Sequence, residues 1–212
     1  MPTRPYYVVP MSNMNRRDFF GMAALGGAGL LLPESAVRAA MPSAVSATLL
    51  EKAKAALATH SARIMHKDVV AIVDFSAPSS AQRLHLLNMD SGRTTSLLVA
   101  HGRGSDPAHT GWVQRFSNVP GSAASANGSY LTSETYMGHH GLSRRLIGLD
   151  PINDQAENRA IVIHAAWYVN HAAAQTLGMI GRSEGCFAVS SADVDLVLNQ
   201  LGPGRLLFAD KA

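Results

Sequence analysis

Cysteine is nearly absent: the 212-residue chain has one, Cys186. A single thiol excludes an intrachain disulfide framework and a zinc site built from several cysteines. Charge and aromatic rings are also scarce, with Asp, Glu, Lys and Arg at 16% and aromatics at 6%. That is too little charge for a salt-bridge-laced coiled coil, and the 47% hydrophobic content excludes a disordered chain. The formal charge is +3, but the residues from Ala40 onward carry only 14 Lys and Arg against 13 Asp and Glu. No polybasic groove is present, so no nucleic-acid partner is expected. After Leu32 no apolar run approaches the ~18 residues of a membrane-spanning helix.

What is present begins with an address. Arg16-Arg17 and Asp18 precede a fourteen-residue apolar run, Phe19 to Leu32, rich in Gly and Ala and broken by Pro33. The run is too short to span a bilayer and fits the h-region of a signal peptide. Glycine at this density also makes a poor core helix, at roughly 0.8–1 kcal/mol each relative to alanine. Val37-Arg38-Ala39 offers a cleavage site near Ala39. The segment resembles a twin-arginine export signal, with a plain secretory signal as the alternative. Residues 1–39 are therefore expected to be a cleaved signal, residues 40–66 a helical segment and residues 67–212 the functional domain. The expected location is the periplasm, with no stable membrane anchor after cleavage and a monomeric protein.

Leu49, Leu50, Ala53, Ala56 and Leu57 recur at helical spacing, predicting an amphipathic helix between Val45 and Ile64. The β-branched run Val69 to Phe75 predicts a buried strand. Arg83 to Met89 and Thr94 to Ala100 flank turn residues and predict a hairpin. Gly102 to Gly128 reads as a long irregular surface segment. Ser129 to Tyr136, Ser143 to Leu149, Ala160 to Ala165 and Arg205 to Ala209 are further strands. Trp167 to Leu177 predicts a short helix. A second helix follows, capped by Ser191 and stopped by Gly202-Pro203-Gly204. Many short strands with a few short helices make a β-rich α+β domain.

Cys186 follows a glycine in the segment Gly181 to Ala188. A thiol becomes a nucleophile when a nearby imidazole draws off its proton, and the amides of a Gly-Cys turn can face a developing oxyanion. A buried inert cysteine is an equally ordinary outcome. Nine histidines compete as base. His164 ends a strand, as His101 does, and His139-His140 lie in a glycine-flanked turn.

The pairing of AIVIHAAWYV with GRSEGCFAV resembles the catalytic core of the bacterial cell-wall L,D-transpeptidases, the YkuD-domain proteins. TSETYMGHHGLSRRLIGLD resembles the murein L,D-transpeptidase catalytic-domain subfamily in particular. The likeness covers about Val69 to Ala209. The family pattern is a histidine, a gap and Ser/Thr-His-Gly-Cys. Here it reads His164, eighteen intervening residues, then Ser183-Glu184-Gly185-Cys186, with Glu184 in the place of the second histidine. A carboxylate there raises the thiol pKa unless a cation such as Arg182 offsets it.

The resemblance implies a β-sandwich catalytic domain and a cysteine acyl-enzyme that crosslinks peptidoglycan stem peptides. Cys186 would be the nucleophile and His164 the base, the Ala165 carbonyl would orient the imidazole, and the Gly185 and Cys186 amides would form the oxyanion hole. Tyr136, His140, Trp167, Tyr168, Arg182, Ser183 and Glu184 are candidate substrate contacts. Arg144 and Arg145 are more simply a solvated pair. No metal or organic cofactor is expected. Three other readings remain: an L,D-carboxypeptidase or other murein peptide hydrolase, a non-catalytic murein-binding module, and a histidine-based metal protein. The intact Cys186, Gly185 and His164 argue against a mere binder. The adjacency of His139 and His140 argues against a metal site.

Overall fold

Both faces of the first strand are apolar, and a computed structural model of the chain, which describes residues 45–212, shows why. In β1 (Val69–Asp74), Val69, Ala71 and Val73 face the main core while Val70 and Ile72 face a helix, α1 (Ala47–Thr59). The C-terminal strand β8 (Leu206–Asp210) lies parallel to β1 with Val70 opposite Leu206 and Ile72 opposite Phe208. The matched alternation gives both strands the same two faces. Leu49, Ala53 and Ala56 of α1 cover one of them. The expected export signal at residues 1–39 lies outside the described residues.

The hairpin of β2 (Leu84–Asn88) and β3 (Thr94–Leu97) flanks β1. On the other side of β8 follow β4 (Gly128–Gly138), β5 (Gly141–Gly148), β6 (Val162–Ala165) and β7 (Phe187–Val189). The sheet is mixed and eight-stranded, in the order β3-β2-β1-β8-β4-β5-β6-β7. Its two ends approach each other beyond β3, where the Ala100 amide donates to the Ala188 carbonyl (2.8 Å) and the Ser183 amide to the His101 carbonyl (2.9 Å). Phe75, at the end of β1, consequently stacks on Phe187 of β7 at 6.3 Å, and Tyr130 of β4 meets Phe187 edge-on at 5.3 Å. The β-rich α+β fold with few helices is as expected. Its sandwich character comes from one curled sheet closing over its own core rather than from two separate sheets.

The helices differ at their starts. α2 covers His171–Leu177, not Trp167 onward, because the Asn170 side chain caps it by accepting from the Ala173 amide (2.7 Å). α3 is Val194–Gln200. Ser191 is not its cap. Ser190 donates to the Asp193 carboxylate (2.6 Å) and accepts from the Asp193 amide (3.1 Å), an arrangement like a capping box one residue earlier. Among the described residues no helix is long and apolar enough to cross a membrane.

Candidate active site

Strands β6 and β7 run parallel with Ile163 opposite Phe187 and His164 opposite Ala188. Ile163 and Phe187 point into the main core. Alternation then directs His164 and Ala188 to the other face. Cys186 immediately precedes β7, in the turn that Gly185 opens at φ 118°.

His164 is buried, and its Nδ1 lies 2.8 Å from the carbonyl oxygen of Ala165. A carbonyl only accepts, so Nδ1 carries the proton and Nε2 keeps its lone pair. Burial lowers the imidazole pKa, the Ala165 carbonyl opposes that, and His140 lowers it further. His140 arrives from the tip of the β4–β5 hairpin, where Gly141 turns the chain at φ 77°. Its ring stacks on His164 with centroids 4.1 Å apart and planes 20° apart.

The half-buried Cys186 thiol points its Sγ–H at the Ala160 carbonyl, 3.5 Å away. Burial raises its pKa, the Val162 backbone and Arg159 lower it, and Glu184 raises it. Ala160 has φ 51°, uncommon for a residue with a Cβ. Gly185 has φ 118°, and a Cβ there would stand 2.7 Å from the Ala124 carbonyl oxygen. Only glycine fits directly before the cysteine.

Several expectations need correction. Ser183 is 4% exposed and does not face a groove. Its hydroxyl accepts from the Gly185 amide (3.2 Å) and donates to the Cys186 carbonyl (2.7 Å), so it braces the turn. The Gly185 amide is therefore bonded inside the loop rather than turned toward a ligand. Glu184 is exposed, and its cation is Arg103 at 2.6 Å, not Arg182. Arg182 instead donates to the Asp106 and Pro107 carbonyls. Tyr136 lies under the Arg145 guanidinium at 4.2 Å, and Arg145 also pairs with Glu134. Arg144 is buried and donates to the Ser133 and Leu198 carbonyls, so it is no half of a solvated pair.

Trp167 is 84% exposed and meets Tyr168 edge-on at 5.9 Å. Burial pushes the half-buried Tyr168 phenol up to about 12, and its ring packs on Gly181. His101, a rival base by sequence, is sealed. Its Nδ1 accepts from the Arg83 guanidinium (2.7 Å), and its Nε2 faces the buried Asp106 carboxylate at 3.4 Å. Sequence reasoning missed Arg159, Ala160 and Arg103, each placed by contacts far along the chain. Among the described residues no group of three His, Cys, Asp or Glu could hold a metal ion.

Residues 42–209 match the family model described as the L,D-transpeptidase catalytic domain. Solved structures similar to the chain include an L,D-transpeptidase from Mycobacterium tuberculosis at 14% identity, with 68% of this chain and 58% of that chain covered and a TM-score of 0.41. Another is L,D-transpeptidase 3 from the same organism, at 13% identity, 68% and 61% coverage and a TM-score of 0.43. A third is an L,D-transpeptidase from Mycobacterium smegmatis, at 10% identity, 68% and 58% coverage and a TM-score of 0.41. The chain spans about three fifths of the length of these proteins. No curated protein sequence matches it.

Proposed function

The chain belongs to the L,D-transpeptidase catalytic-domain family, and from that premise we propose that it is a cysteine-dependent enzyme that crosslinks peptidoglycan stem peptides. The observation that carries this reading is the His164 Nδ1 bond to the Ala165 carbonyl, which leaves the Nε2 lone pair as a proton acceptor on the strand paired with the one that Cys186 precedes. His164 Nε2 takes the thiol proton, and the sulfur attacks the carbonyl of a diamino acid residue in the donor stem. The C–N bond to the following D-amino acid breaks as His164 returns the proton to the leaving amine, and a thioester remains on Cys186. An amine of a second stem gives a proton to His164, attacks the thioester and restores the thiol.

The Cys186 amide, set by the positive-φ turn at Gly185, is the oxyanion donor in this reading, because the Gly185 amide is engaged by Ser183. In this reading the His140 ring, stacked on His164, and the exposed Trp167 are substrate contacts. On the same reading the twin-arginine-like segment Arg16-Arg17 to Ala39 is an export signal and the enzyme works in the periplasm. No cofactor enters the scheme.

Mass spectrometry of purified muropeptides incubated with the enzyme tests the proposal. Crosslinked dimers, together with a thioester mass on Cys186, are the expected products. Trimmed monomers without dimers would make water the acceptor and the protein an L,D-carboxypeptidase. Unchanged muropeptides would overturn the catalytic reading.

A further inference from the structure

Beside the loop that carries Cys186, the surface opens into a cavity of about 320 Å³. Three arginines line it: Arg103 and Arg115 from the segment after β3, and Arg182 from the segment before β7. The remaining wall is small, with Gly104, Ser122 and Ala123 among it. Each guanidinium is held from one side. Arg103 Nε donates to Glu184 (2.6 Å), Arg115 Nε to the Gly104 carbonyl (3.0 Å), and Arg182 to the Asp106 and Pro107 carbonyls. Among the described residues neither Arg115 nor Arg182 pairs with a carboxylate. Two uncompensated cations thus meet at one concavity, although the chain from Ala40 onward is almost neutral.

The cavity is built into the same backbone as the nucleophile. The Arg103 amide donates to the Ser183 carbonyl (2.7 Å), and the Gly104 amide to the Ala123 carbonyl (2.8 Å). Gly185 in turn packs on the Ala124 carbonyl. A group bound between Arg115 and Arg182 is therefore held beside the loop that carries Cys186. Guanidinium forks match planar carboxylates in a way that a point charge does not. The volume suits an amino-acid side chain or chain end rather than a glycan.

The geometry points to this cavity as a carboxylate-binding subsite for the peptide that reaches Cys186, with Arg115 and Arg182 as its anchors. The inference rests on the peptide-substrate reading above and adds the group by which the peptide is held.

Binding is measured apart from chemistry by titrating a stem tetrapeptide, with its carboxylates free or amidated one at a time, into the full chain carrying Cys186→Ala. The same titrations are made with Arg115→Gln or Arg115→Glu added, and with inorganic phosphate as competitor. Loss of one charge-assisted fork predicts about tenfold weaker peptide binding for Arg115→Glu and a smaller loss for Arg115→Gln. Amidating one particular carboxylate should weaken binding to the parent by a similar factor and should erase the difference between the variants. Melting temperatures of the variants check that they are folded. Equal affinity across the three folded proteins would overturn the inference. So would indifference to every amidation while phosphate displaces the peptide, which would make the cavity an inorganic-anion site. Acylation of the otherwise wild-type chain by a carbapenem, read by intact mass, reports Cys186 alone. If acylation fails while binding still depends on Arg115, the catalytic reading falls and the subsite stands. If acylation survives and binding ignores Arg115, the reverse holds.

Discussion

Two histidines end apolar strand runs in this chain, and the protein treats them oppositely. His101 and His164 are both buried, at 0% and 2% exposure. At His101 both ring nitrogens face ionic groups, Arg83 at Nδ1 and Asp106 at Nε2. At His164 the Nδ1 proton meets one neutral carbonyl, and the other face of the ring meets a second imidazole. Arg83 itself is fully buried and lowered to about 9 by that burial, with Asp74 and Asp106 opposing the shift. The first site is enclosed by charged partners, and the second leaves Nε2 its lone pair. Position at a strand end therefore does not by itself identify a base.

The sharpest break in this comparison is at the thiol that, in the proposed reaction, only His164 serves. Cys186→Ser nearly conserves volume, so stability should change by no more than roughly 1 kcal/mol. Crosslinking should nevertheless vanish, because a hydroxyl does not ionise as a thiol does. Intact mass after carbapenem treatment should show an adduct on the wild type and none on the variant. A serine variant with near wild-type turnover would return Cys186 to the role of packing residue.

Exchanging the histidines comes next. His164→Gln should lower kcat by about 10²–10⁴-fold with a small effect on the melting curve, since it removes a general base. His101→Gln should do the opposite. It strips a bond from buried Arg83 and should cost about 1–3 kcal/mol in urea unfolding, while the folded fraction keeps its activity. If His101→Gln were the silent enzyme and His164→Gln the unstable one, the assignment of roles would be inverted.

Much of this was legible in the chain. β-branched runs marked β1 and β6, turn residues marked the β2–β3 hairpin, and Gly185-Cys186 with His164 carried the resemblance to the family. What was not legible arises from contacts that sequence neighbours do not report. Arg103 meets Glu184 from 81 positions away. Ala160 turns its carbonyl to the thiol through a positive φ that alanine does not advertise. Ser183 looked like a groove residue because it sits in the motif, yet closure of the sheet against the His101 carbonyl buries it. α2 started late because Asn170 outcompeted helical continuation from Trp167.

Acid should separate the two histidines as well. His101 is lowered to about 4, chiefly by burial and then by Arg83. The unfolded chain therefore binds a proton there at a higher pH than the folded chain does. The stability from keeping the ring neutral is complete above the unfolded value near 6.5 and is lost as pH falls toward 4. The loss approaches about 3 kcal/mol for a full shift of this size. Urea unfolding from pH 7.5 to 4 should show that slope, and His101→Gln should flatten it. The His164 pKa is lowered too, so the neutral base and the activity that needs it should persist below the pH at which a free imidazole protonates. An acid limb of kcat/KM at or above the ordinary imidazole value would contradict this.

The smallest expected effect concerns the carboxylate beside the nucleophile. Glu184 stands where the family pattern has histidine, and it raises the thiol pKa, though it ranks last among the four influences on it. Its carboxylate is largely exposed and paired with Arg103, so water and the guanidinium both screen it. Glu184→Gln removes the like charge and also leaves Arg103 uncompensated, and both changes favour the thiolate. The direction is therefore fixed, toward faster alkylation by iodoacetamide at neutral pH. The size is bounded by how little such exposed pairs contribute, less than about twofold in rate. By contrast Arg159 packs its guanidinium against Gly185 and donates to the Ser117 and Ala124 carbonyls in a partly buried setting. Arg159→Gln should slow alkylation by more than Glu184→Gln speeds it. If the Glu184 variant instead changed the rate tenfold, its carboxylate would be acting on the sulfur directly, and the Arg103 pair would not be the screen described here.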